Sequence, residues 1–269
     1  MISSLGTHGH IPHLKKPPAK QRLRIRRIFS ELFETLGNRT FLALFMAAIF
    51  GAAATGVSAA LSFYFGAYYW EFSTAQLGLL TVSAVISSIV AGMITGKASK
   101  NMGKKNAAIL VGVLAFTLAP LPITLRLFDL MPENGAPLLF VIVLITTIVD
   151  VALIITFQIL MSSMLADAVE ESEIKTTRRS EGVFFSSITF AAKMVTGVGI
   201  TAATGILSYA GLQTGIAPGD VQNDVLSRLG TIYAPVVFTL WMTMILCLRF
   251  YKIDRRAHED NLQNLGRSA

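Results

Sequence analysis

The sequence predicts an all-α membrane protein, a bundle of six transmembrane helices. Three observations carry that expectation. Six apolar runs each approach or exceed the roughly 20 residues that cross about 30 Å of hydrocarbon. Only 14% of the 269 residues are charged and 53% are hydrophobic, against about 25% charge in soluble domains. The charge is also confined to short segments between the runs, and the mean hydropathy is +0.59.

Residues 1–21 read as a polar cytoplasmic tail rich in glycine and proline. His8, His10 and His13 lie close enough to hold a metal, but they have no acidic or thiol partner nearby, so a plain tail is the simpler reading. Over 22–39, Ile25, Ile28, Phe29, Leu32, Phe33 and Leu36 recur at helical spacing among Arg22, Arg24, Arg26 and Arg27. That pattern predicts an amphipathic cytoplasmic helix lying on an anionic leaflet. A calmodulin-target helix has the same pattern.

The bundle itself is expected over 40–251, with spans near 40–67, 75–96, 106–126, 137–162, 182–208 and 229–251. The fourth and fifth are long enough to tilt or to pass the headgroups. Pro120, Pro122 and Pro235 are expected to kink or end their helices, which neighbours in a bundle tolerate. Ala48, Ala52, Gly56 and Ala60 repeat four apart in the first span, so one face of it should pack closely on another helix. Residues 252–269 form a second cytoplasmic tail.

Orientation follows from the basic residues. Twenty of the 23 Lys and Arg fall in the leading segment, the 97–105 turn, the 163–180 segment and the C-terminal end. The opposite loops hold Arg126 and Arg228 alone, and Lys193 lies inside a span. The positive-inside rule puts both termini in the cytoplasm. Tyr64, Tyr68, Tyr69 and Trp70 are then an outer aromatic belt. The net charge of +7 flanks spans rather than lining one soluble face, which argues against nucleic acid as a partner and for the lipid bilayer.

Two charges are expected within the membrane. A Lys near the bilayer centre costs roughly 2.5–3.5 kcal/mol on insertion scales unless it snorkels or finds a partner. Lys193 has Ser186, Thr189, Thr196, Gly197 and Thr204 at helical spacing, a polar stripe expected to face a cavity or other helices. Snorkelling to the cytoplasmic side is the alternative. Asp150 shares a helical side with Thr147, Ile154, Gln158 and Met161. It reads as a cavity group beside Gln158, a proton carrier or a structural hydrogen-bond partner. The segment from Asp167 through Glu170, Glu173, Arg178 and Arg179 to Glu181 puts acids before bases on a short turn, a candidate salt-bridge latch.

Enzyme chemistry has no foothold. Every histidine is in a terminal tail, and there is no phosphate-binding glycine loop and no zinc-protease motif. One cysteine, Cys247, excludes an internal disulfide framework. No metal or cofactor site is predicted.

The stretch from Ser163 to Lys175, the Arg179-Ser-Glu181 triplet and the following Lys193 resemble the glycoside–pentoside–hexuronide:cation symporters. These are the melibiose-permease family of the major facilitator superfamily. The Asn38-Arg39-Thr-Phe41 entrance and the basic turn at 96–105 extend the resemblance over nearly all the chain after residue 22. It implies a twelve-helix carrier in two bundles, with this chain matching the second half. It implies that Gln158, Thr189 and Lys193 sit at or near a sugar and coupling pocket. The main cation-coordinating aspartates would lie in the other bundle. The family's pattern has an aromatic residue at Gln158's place, so sugar stacking there is not carried over.

The function expected is therefore half of a secondary transporter. It would move a sugar or glycoside by cation-coupled alternating access, with H⁺, Na⁺ or Li⁺ as coupling ion and a matching six-helix half or a second copy as partner. The integral multi-pass chain would reside in the plasma membrane. A non-transporting accessory or regulatory subunit, or a truncated product, is the alternative. An intramembrane aspartyl enzyme lacks a second aspartate in a span.

Overall fold

The computed structural model describes residues 37–176, 181–212 and 215–253. The terminal tails, most of the expected 22–39 helix, the three N-terminal histidines, Arg178 and Arg179 lie outside the described residues. Within them the chain is all helical, with six helices long and apolar enough to cross a membrane.

Helix α1 spans Arg39–Tyr64 and continues through a π-helical turn at Phe65–Tyr69. Asn38 caps it: its side-chain oxygen accepts the Thr40 and Phe41 amides at 2.9 and 3.2 Å, two of the donors that a helix start leaves unpaired. Helix α2, Thr74–Met102, opens with a Ser73–Gln76 capping box. Gly103 ends α2 and starts α3 at φ 76°, a backbone region that strains residues with a Cβ. Helix α3, Lys104–Leu118, stops before Pro120, and the short α4, Leu121–Leu127, completes that span. Pro235, by contrast, lies inside α7, Asn223–Leu248, without ending it.

The expectation for 163–181 is corrected here. Helix α5 spans Pro137–Thr176, 40 residues and about 60 Å at 1.5 Å per residue, so the acidic segment up to Glu173 is helix rather than loop. The reason is local. After Pro137 the helix contains no glycine or proline, and nothing in the backbone stops it where the hydrocarbon ends. Helix α6 spans Glu181–Ala210.

Helix α1 packs mainly on α6 and α7, α5 packs on α2 and α3, and α3 meets α7. The small-residue face of α1 makes the closest approach. A Cβ at Gly199 of α6 would stand 2.6 Å from the Ala53 carbonyl oxygen, and one at Gly56 would strike the Thr196 carbonyl. Ala52 and Gly56 are buried there, while Ala48 and Ala60 are half-buried. Between α3 and α7, Phe116 stacks on Trp241 with centroids 4.0 Å apart. Coverage is uneven: 56% of the most apolar window of α1 is buried by the chain itself, but only 17% in each of α2, α5 and α6. Those three helices leave broad faces for lipid or for another partner.

Candidate functional site

The uncovered face of α6 carries the first constellation. Ser186, Thr189, Lys193, Gly197 and Thr204 are all exposed, and at 100° per residue they share one stripe. Among the described residues Lys193 has no ion-pair partner. Phe190, Met194 and Val198 lie alongside as a separate exposed apolar strip, 62–68% accessible. Thr196 departs from the expected stripe. Its hydroxyl donates to the Ala192 carbonyl at 2.8 Å and to the Ala52 carbonyl of α1 at 3.4 Å, so it belongs to the packed face.

Helix α2 repeats the arrangement. Thr81 and Ser88, seven residues apart, are exposed with Gly92, while Val82, Val85, Ile89 and Met93 form an apolar strip 63–66% accessible. Sequence reasoning missed this second stripe, although its seven-residue hydroxyl spacing was legible.

On α5, Asp150 and Gln158 lie in different settings. Gln158 is exposed, whereas Asp150 is half-buried and its Oδ1 is sealed without a hydrogen-bond partner among the described residues. Eight residues leave the two side chains about 80° apart around the axis. Between α7 and α1, the Tyr233 hydroxyl donates to Ser58 Oγ at 3.2 Å.

At the end where α5 outruns its apolar core, Asp167 is 4% exposed. It accepts from Lys104 Nζ at 2.6 Å and from the Tyr251 hydroxyl at 3.3 Å. Lys105 donates to the Arg249 and Tyr251 carbonyls at 3.0 and 2.6 Å, and the Asn38 amide reaches Glu171 at 3.5 Å. Burial, followed by the Asp167 carboxylate, holds the Tyr251 phenol well above its ordinary range and keeps it a donor. At the opposite end the Arg126 guanidinium lies over the Tyr69 and Trp70 rings, 4.8 and 5.2 Å from their centroids. It also donates to Asn134, whose amide donates to the Tyr69 carbonyl at 3.3 Å.

The chain matches the family model described as "MFS/sugar transport protein" over residues 1–255. It belongs to that family. No curated protein matches it. Membership makes this an integral multi-pass protein of a sugar-transport family and not of an enzyme family.

For a protein of the MFS sugar-transport family, the arrangement separates two kinds of polar group. The α6 stripe and Gln158 are uncovered and available to a solute or a partner. Asp150, Tyr233 and Asp167 are held within the bundle. Glu170 and Glu173 are half-buried on the last turns of α5, and Glu181 is exposed at the start of α6. Sequence reasoning missed Lys104, Tyr251, Tyr233, Arg126 and Asn134 as partners, because each acts on a residue distant in the chain.

Proposed function

We propose that this chain forms one six-helix bundle of a cation-coupled sugar or glycoside symporter, corresponding to the second half of a melibiose-permease-like carrier. The observation that carries the reading is the uncovered stripe around Lys193. A lysine inside a span, with no ion-pair partner among the described residues, is costly against hydrocarbon. A water-filled pathway or a facing bundle removes that cost. In sugar-transport family members such a pathway lies between two bundles and opens alternately to either side. The facing bundle is a separate chain, a second copy or a further segment of the same protein.

In this reading Lys193 binds substrate oxygens or a carboxylate of the coupling network, and Ser186, Thr189 and Gln158 line the pathway. Both chain ends face the cytoplasm of a plasma membrane, as the Lys and Arg distribution favours. Asp167, Glu170, Glu173 and Glu181, with Arg178 and Arg179, latch the cytoplasmic side. Lys104 joins them through its bond to Asp167.

Counterflow of a radiolabelled sugar panel in vesicles tests it, using the chain with a candidate complementary bundle and the chain alone. Uptake is expected only with both bundles and is abolished by Lys193→Ala. Uptake unchanged by Lys193→Ala would remove that residue's role. A complex that assembles with no sugar flux would favour an accessory subunit, a reading that the same uncovered face supports.

A further inference from the structure

We propose that Asp150, half-buried among the helices of this bundle, is a proton-binding site. Coupling by it rests on the transport reading above; proton binding does not. The geometry comes first. Asp150 Oδ1 is sealed from solvent and has no hydrogen-bond partner among the described residues. A carboxylate held that way must find a donor, a cation or a proton.

Thr146 spends its hydroxyl on the Ile142 and Val143 carbonyls of its own helix. Tyr233 is bonded to Ser58, and its ring packs 4.5 Å from that of Phe65. Ionisable groups on the surrounding helices stand apart. Lys97, Lys100, Lys104 and Lys105 flank the α2–α3 turn, and Arg126 is at the far end of that span. Helix α1 carries Arg39 at its start and Tyr64, Tyr68 and Tyr69 near its end. Helix α6 offers Glu181 at its start, Lys193 on its uncovered face and Tyr209 near its end. In α7, Asp224 and Arg228 pair with each other near the start, and Cys247 is near the end.

A metal cation is a poor occupant. Hard cations such as calcium take six to eight oxygen ligands, and the described residues hold no cluster of three acidic, histidine or cysteine side chains. A proton needs one oxygen. The step is a simple transfer: the carboxylate takes a proton from water and, on ionising, returns it to water.

Infrared spectroscopy of the full chain in lipid nanodiscs, with isotope-labelled aspartate carboxyls, reads the proton directly. A protonated-carboxyl band is expected at a pH where exposed aspartates are ionised. It should disappear in Asp150→Asn. If Asp150→Asn fails to fold, Asp150→Glu should move the band from labelled aspartate to labelled glutamate. The absence of the band, or its survival in Asp150→Asn, would overturn the proposal. So would its removal by sodium or lithium at fixed pH, which would make the site one for an alkali cation. The two readings fail separately. A titrating Asp150 without sugar flux removes the transport reading, and sugar flux without the band removes this one.

Discussion

Asp167 is a carboxylate almost shut off from water, and what surrounds it sets the properties of one end of the bundle. Its partners come from the head of α3 and from just past α7, so three chain segments meet on one charge. Breaking a buried pair by removing one partner costs roughly 3–5 kcal/mol, because the other charge stays buried. Lys104 is 28% exposed and Tyr251 still donates to Asp167, so Lys104→Met should cost less, about 2 kcal/mol. Thermal melting in detergent checks this, and an unchanged midpoint would contradict it. Tyr251→Phe should cost about 1 kcal/mol at neutral pH, the usual net worth of one hydrogen bond. The pH dependence has a definite sign. The native phenol is held above the unfolded value of about 10, so its contribution is complete below that pH. It is lost as pH rises toward the native value, and the gap between wild type and Tyr251→Phe should close under alkali. Asp167 was legible as one of a cluster of acids. Its partners were not, because Lys104 and Tyr251 lie 63 and 84 residues away and sequence spacing shows only neighbours. Arg126 was legible as a lone loop cation but not as the plate lying on Tyr69 and Trp70.

At the scale of elements, the contact between α1 and α6 is set by absent side chains. The atoms facing Gly56 are backbone atoms of Thr196 and Gly199, which cannot turn aside as a flexible side chain would. Gly56→Ala therefore has to separate the helices, an overpacking cost of about 2 kcal/mol even after the better helix propensity of alanine. Gly78 of α2 is the control, with no atom within 4 Å of its missing Cβ. Gly78→Ala should be neutral or stabilising by up to about 1 kcal/mol. Equal melting points for the two variants would show that the close approach does not hold the bundle together. The small-residue spacing in α1 made this contact legible, though not its partner. The six spans were legible for a similar reason, since hydropathy reports hydrocarbon thickness. Helix ends were less so. The backbone ladder continues in water wherever no breaker stops it, which is why α5 carries its acidic residues onward to Thr176.

The whole molecule poses one question, namely what covers α2, α5 and α6. Lipid suits the strips of Val, Ile, Met and Phe, and the Lys193 charge on the α6 stripe needs something else. The two strips of α6 can be told apart by their chemistry. Thr189 lies on the Lys193 stripe, and Val198 lies about 140° from Lys193 around the helix at 100° per residue. With Cys247 replaced by serine, single cysteines at the two positions can be challenged with a membrane-impermeant maleimide in proteoliposomes. Thr189→Cys is expected to label at least tenfold faster than Val198→Cys, because thiolate chemistry requires water and the second position sits in hydrocarbon. Assembly with a complementary bundle should leave Val198→Cys unchanged. It should also make Thr189→Cys sensitive to a transported sugar, as expected of a residue beside an alternately exposed pathway. Equal labelling at both positions would mean that lipid surrounds α6 uniformly. Lys193 would then have to snorkel, and the stripe would lose its claim to a solute. Fast labelling at Thr189→Cys that no sugar alters would keep the water-facing surface and remove the pathway from it, which points to an accessory role. The outcome turns on the environment of a surface rather than on any single bond, and that is the level at which a bundle with three uncovered helices has to be understood.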